Sequence, residues 1–239
     1  MRHGETQANV ERIFQGQMDT LLNARGQRQA REVAAMLGEQ SFDAIYSSDL
    51  RRCADTALEI AALTGHEIVF DLDLRELHYG VLQGVPYIRF REVLAEHGLA
   101  DEWGPGVFSE RGIAPPDGES MDDLRARAVR FVERIDAAHP AELSHSILIV
   151  SHGGTLRALM TILLGQQIEE RGSYSFANCS VTRVVRDGPN GTTIDCLNEI
   201  YWSEDDFPDS AGEGEGAYGV DQAPDVIITR EVGRGDANG

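Results

Sequence analysis

Hydrophobic positions along the chain alternate between helical and extended spacing. After Asn23, placed to cap a helix, Ala30, Val33, Ala34 and Leu37 recur at i, i+3, i+4 and i+7 before Gly38, which predicts an amphipathic helix. Residues 43–47 (DAIYS) then form a short apolar strand ending in serines. Leu50, Cys53, Ala54, Ala57, Leu58 and Ala61 trace one face of a second helix, and a further strand is expected near 67–70. Ser120 with Asp123 reads as a capping box ahead of Leu124, Ala128, Phe131, Val132 and Ile135, a third helix. SILIVS, residues 146–151, is apolar enough for a buried strand and runs through a glycine pair into the helix of Leu156, Leu159, Met160 and Leu163, closed by Gly165. Two last strands, 180–186 and 192–197, flank the turn Gly188, Pro189, Asn190, Gly191.

Strands alternating with helices predict a three-layer α/β/α sandwich with a mostly parallel central sheet. Its chemistry should lie where strands end. Residues 77–118, rich in Gly and Pro and weakly periodic, read as an insertion over that edge, a lid or substrate-selecting segment. Residues 203–239 hold ten acidic side chains against Arg230 and Arg234, with seven glycines. That composition cannot bury enough to order itself, so one domain, 1–202, followed by a disordered acidic tail is expected.

The tail supplies −8 of a formal charge of −19, and all 21 basic residues are arginine, none lysine. Nucleic acid is therefore excluded as a natural partner. A dense carboxylate surface without lysine fits solubility in concentrated salt, a halophilic origin; the alternative, a high-GC genome that encodes arginine in place of lysine, explains the missing lysine but less easily the −19. The expected result is a melting temperature that climbs steeply between dilute and molar KCl, and a flat response overturns the salt reading. No apolar run approaches the ~18 residues of a membrane span and no basic-then-apolar leader opens the sequence, so a soluble, cytoplasmic protein is expected. Cys53, Cys179 and Cys196 lack metal-ligand spacing and read as core or half-buried thiols.

Two His-Gly steps stand out, in RHGET (Arg2 to Thr6) and in SHGG (Ser151 to Gly154) directly after the most apolar strand. Each glycine lets the backbone turn closely beneath an imidazole and aim N–H groups at an anion. SSDLRRCADT, Ser47 to Thr56, puts Arg51 and Arg52 in a helix's first turn, where a cation opposes the dipole and a bound anion would relieve the conflict. Arg51 reads as an ordinary solvated residue. In LRELHYGVLQG, Leu74 to Gly84, Glu76 follows an apolar segment and stands where a carboxylate can carry a proton, the alternative being a plain surface glutamate. His66, His97, His139 and His145 read as surface groups.

RHGET, SSDLRRC, the LRE segment and SHGG, in this order over residues 1–202, resemble the histidine phosphatase superfamily in its phosphoglycerate mutase-like branch. The resemblance implies that His3 is a nucleophile taking up a phosphoryl group, with Arg2, Arg52 and His152 around the phosphate and Glu76 as general acid and then base. It further implies phosphate-side contacts from Asn9, Gln15 and Gly16, backbone donors near Gly153, and a substrate contact from Tyr79. Phosphoryl transfer needs in-line positioning and compensation of the equatorial oxygens, here by guanidiniums; no Asp/Asn cluster for Mg²⁺ is evident and no cofactor is expected.

Two departures matter. Members of that family place several apolar residues before RHG, whereas only Met1 precedes Arg2, so either the given start is too late or the first core strand is truncated, with His3 left on a fraying terminus. The mutases also carry a lysine and an adjacent arginine pair for the substrate carboxylate, whereas here Arg89, Arg91 and Arg111 are spaced differently. The expected activity is hydrolysis of a small phosphorylated metabolite; the alternatives are a cofactor-dependent phosphoglycerate mutase and a non-catalytic phospholigand-binding module.

Overall fold

In a computed structural model of the chain, residues 1–99, 113–140, 143–166, 174–187 and 191–203 are described. The elements run α1 Gln7–Val10, α2 Ala24–Leu37, β1 Ala44–Ser47, α3 Arg51–Thr64, β2 Ile68–Phe70, α4 Phe90–Glu96, α5 Met121–Ala138, β3 Ile147–Val150, α6 Gly153–Leu163, β4 Val181–Arg186 and β5 Thr192–Glu199. The periodicities behind them hold, cap by cap. The Asn23 side chain accepts from Gly26 N at the start of α2, and Ser120 and Asp123 form the reciprocal capping box of α5.

β1 is central in a parallel sheet of order β2-β1-β3, with Ile45 opposite Ile68 on one side and Leu148 on the other. Strand alternation divides the interior in two. Ile45, Leu148 and Val150 face one core with Val33 and Leu37 of α2 and Cys53 and Ile60 of α3. Tyr46 and Ile149 pack against the other, with Leu124 and Phe131 of α5 and Leu159 of α6. Each fully buried Leu, Ile or Phe contributes about 1.5–3 kcal/mol by leaving water, so helices on both faces are what keep so short a sheet folded. The result is the expected α/β sandwich. β4 and β5 form a separate antiparallel hairpin rather than extending the parallel sheet. All three cysteines are free, Cys53 and Cys179 buried and Cys196 half-buried.

At the amino end a single parallel bridge pairs Arg2 with Ser151. Yet the backbone there is engaged on both sides. The Met1 amino group donates to Ile149 O (2.8 Å). Ser151 N donates to Met1 O (3.0 Å), His3 N to Ser151 O (3.1 Å) and, from the far side, Cys179 N to Arg2 O (3.1 Å). His3 is 3% exposed. The expectation of a fraying terminus is thus corrected: a single bridge suffices because the segment just before β4 takes up the other edge.

Leu77, Tyr79, Leu82 and Leu94 belong to the core on the α5/α6 side, so the first part of the 77–118 stretch is more than a cover. Gly80, at φ +52°, is required there, since a Cβ would lie 1.9 Å from Pro116 O. Residues 100–112, most of the 188–191 turn and the acidic tail from 204 lie outside the described residues. No helix among those described is long and apolar enough to cross a membrane.

Candidate active site

Three chain segments leave the sheet at the same edge: residues 1–3 beside β3, β1 into α3, and β3 into α6. Each delivers a predicted group. His3 Nδ1 lies 2.7 Å from Gly4 O, and because a carbonyl only accepts, that nitrogen carries the proton and Nε2 keeps its lone pair. Burial, then the guanidiniums of Arg52 and Arg2, hold the His3 pKa well below its ordinary value. The imidazole is therefore neutral and competent as a nucleophile. His152, at the N-cap of α6, is fully buried, its ring 5.2 Å from that of His3. Its Nε2 is 2.9 Å from Ser48 Oγ and 3.4 Å from Cys53 Sγ. Burial and the Arg52 charge hold it neutral too.

Arg52 is 1% exposed in the first turn of α3, with NH1 donating to Met18 O (2.8 Å) and Thr20 Oγ1 (3.2 Å) and NH2 to Gly16 O (2.7 Å). Gly16 adopts φ +52° to present that carbonyl. Arg2 donates from NH1 to Phe176 O (2.6 Å). In both arginines the Nε is buried without a hydrogen-bond partner. Arg51, expected to be solvated, is exposed.

Glu76 follows a 3-10 turn, Leu72–Leu74, and its oxygens accept from Leu77 N (2.8 Å) and Gly154 N (3.0 Å). Gly154 is needed for that approach, because a Cβ would stand 2.4 Å from Glu76 Oε1. Gln15 Oε1 accepts from the Thr6 and Thr20 hydroxyls, and Asn9 Oδ1 from Thr6 N and Asn178 Nδ2, so both amides are oriented by their surroundings.

Nine of the ten predicted site residues, Arg2, His3, Asn9, Gln15, Gly16, Arg52, Glu76, Tyr79 and Gly153, line one cavity. His152 does not; it stands behind His3. Phe14, Tyr87 and Arg157 line the cavity as well and were not foreseen. Phe14 is an apolar residue beside Gln15 and reads as core; Tyr87 comes from the weakly patterned stretch. Arg157 had a signal, for it lies four residues beyond Gly153 on α6 and so shares its face. Of the histidines read as surface groups, His97 is exposed, while His66 and His139 are half-buried and bonded to Phe42 O (2.7 Å) and the Tyr46 hydroxyl (3.0 Å). Among the described residues no group of three or more His, Cys, Asp or Glu is arranged to hold a metal ion.

The two buried neutral imidazoles couple stability to pH. Unfolded histidine titrates near 6.5, whereas in the fold both pKa values lie well below that, so on acidification the unfolded chain takes up protons that the fold refuses. Stability is lost as pH falls through the unfolded value, by up to about 1.4 kcal/mol per pH unit for each ring and about 2.7 for the pair. The urea midpoint is expected to drop between about pH 7 and pH 5. Replacing His152 by Asn should halve the slope; an unaltered slope would show that other groups set it.

An α/β sandwich that gathers a neutral imidazole, a buried and a half-buried guanidinium and an oriented carboxylate at its strand ends defines a class of phosphate-handling proteins. A family model for the histidine phosphatase superfamily (branch 1) matches residues 1–200, and the chain belongs to that family. Phosphoglycerate mutase-like protein 4 of Arabidopsis thaliana is 40% identical over 164 residues, 66% of this chain and 67% of that protein. Among solved structures, a mycobacterial glucosyl-3-phosphoglycerate phosphatase superposes with a TM-score of 0.69 at 31% identity, covering 83% of this chain and 96% of that one. The α-ribazole phosphatase of Shigella flexneri gives 0.73 at 26% identity, over 85% and 97%. Phosphatases and a mutase-like protein are thus its relatives.

Proposed function

We propose that the protein is a metal-independent phosphomonoesterase of small phosphorylated metabolites in the cytoplasm, working through a phosphohistidine on His3. The observation that carries this reading is the pair of buried, partnerless Nε donors of Arg2 and Arg52 in the cavity that His3 lines. A phosphoryl group there supplies the missing acceptors, and leaving a buried donor unsatisfied otherwise costs about 1–3 kcal/mol. In the first step His3 Nε2 forms a bond to phosphorus, the P–O bond to the alcohol breaks, and Glu76 gives its proton to the departing oxygen. In the second, water adds to phosphorus, the P–N bond breaks, and the Glu76 carboxylate takes the water's proton. Arg2 and Arg52 compensate the equatorial oxygens throughout. His152 acts from behind His3, holding the ring's neighbour space neutral and closed to water. Residues 77–118 select the alcohol.

Hydrolysis is favoured over phosphoglycerate mutation by what Arg89 and Arg91 do. Arg89 pairs with Glu92 (3.0 Å) and Arg91 lies over the Phe90 ring; neither lines the cavity, and Arg111 is outside the described residues. The test is phosphate release from p-nitrophenyl phosphate in the presence of a chelator, expected to be undiminished. Isomerised product stimulated by 2,3-bisphosphoglycerate would replace hydrolysis by the mutase reading, and phosphate binding without turnover would leave a binding module.

A further inference from the structure

An ion pair between a buried arginine and a half-buried glutamate lies outside the cavity, between α5 and the segment that carries Glu76. Arg127 of α5 is 5% exposed, and its Nε and NH2 each meet one Glu119 carboxylate oxygen at 3.1 Å, a two-pronged contact. Its third nitrogen, NH1, donates to Asp73 O (2.8 Å) and to Arg75 O. Arg75 O also accepts from Thr155 Oγ1 (2.7 Å). Glu119 in turn accepts His78 N (2.9 Å) and Gln17 Nε2 (3.4 Å), and that same Gln17 amide donates to Glu76 O (3.1 Å). The peptide groups before, at and after Glu76 are thus gripped from one ion pair, directly or through Gln17. The nearby pairs of Arg130 and Arg134 with Asp71 and Asp73 are about half exposed on the arginine side and hold far less firmly.

Taking two charges out of water is expensive, and replacing such a pair by apolar side chains often costs a fold nothing. What apolar groups could not do here is fix backbone carbonyls and an N–H around a proton donor. A guanidinium is the side chain that can, since its planar fork spans four acceptors where an ammonium offers a single point. We propose that Arg127 and Glu119 are positioning residues for Glu76, holding its carboxyl where a departing alkoxide is protonated. This rests on the reading of Glu76 as general acid. Misplacement by about 1 Å can cost two orders of magnitude in such a transfer.

The test separates positioning from mere scaffolding by the leaving group. kcat/KM is measured on p-nitrophenyl phosphate, whose leaving oxygen carries negative charge readily, and on phenyl phosphate, whose oxygen needs the proton more. Glu76→Gln is expected to lose far more on phenyl phosphate. Glu119→Gln and Arg127→Met are expected to show the same selectivity, a loss at least about tenfold greater on phenyl than on p-nitrophenyl phosphate. Glu119→Gln keeps the side chain's size but sets its NH2 donor against another donor, Arg127 or His78 N, and it decides the matter should Arg127→Met not fold. Equal losses on both esters, or none, beside a selective Glu76→Gln overturn the positioning role and leave Glu76 as acid. An unselective Glu76→Gln overturns the acid assignment and the positioning role with it.

Discussion

His3→Ala is expected to abolish turnover, with kcat/KM on p-nitrophenyl phosphate falling by at least about a thousandfold, or about 4 kcal/mol of transition-state stabilisation. The nucleophile cannot be replaced from nearby. The other ring, His152, is fully buried behind His3, does not line the cavity, and has its Nε2 turned to Ser48 and Cys53. The cage of Arg2 and Arg52 survives the change, so inorganic phosphate should still bind while acid-labile ³²P no longer attaches to the protein. Residual activity within tenfold of the unsubstituted protein would mean that water attacks phosphorus directly and that no phosphohistidine forms.

Gly26→Ala is expected to have a large effect on folding, although the residue belongs to no catalytic motif. A Cβ at Gly26 would stand 2.0 Å from Glu5 O and 2.6 Å from Glu5 N, and one at Gly4 would stand 2.6 Å from Gly26 O. Backbone meets backbone, so no side chain can swing aside. Neither partner can retreat either: α2 is held by buried Val33 and Leu37, and the loop by Glu5 N to Gln29 Oε1 (2.9 Å), Asn23 N to Glu5 O (2.9 Å) and Gly4 N to Thr56 Oγ1 (3.0 Å). A loss of about 3 kcal/mol is expected, against the gain that alanine normally brings within a helix. For a chain of this size that is a fall of about 6–12 °C in Tm, read by calorimetry. Activity should fall with it, because the loop that yields follows His3 directly. A Tm within 2 °C or so of the parent would show that α2 and this loop are not in contact in solution.

Much of the architecture was legible because its elements are locally marked. The helices α2, α3, α5 and α6 announce themselves by apolar residues at helical spacing and by Asn23, Ser120 and Gly165, all features set within a few residues of one another. The site motifs were legible for a different reason. Strand-end histidines and helix-start arginines sit where an α/β sheet opens, so position along the chain already implies the edge at which they gather.

What local patterning could not carry is anything that depends on two distant segments meeting. Whether a single bridge at Arg2 would hold His3 depended on Ser151 and Cys179, one strand away on each side. The 77–118 stretch looked like a cover because its apolar residues are irregularly spaced, yet Leu77, Leu82 and Leu94 fill the core with Leu124 and Phe131, which only the docking of α5 brings near. Arg127 is one more arginine on an amphipathic helix until Asp73, Arg75 and Glu119 close around it, and Gly26 is an ordinary helix residue until Glu5 lies against it. Backbone periodicity and capping act over a turn or a strand and so are written in neighbouring letters. Burial of a charge, satisfaction of a carbonyl and the room for a methyl group are properties of contacts between remote letters, and the folded chain alone decides them.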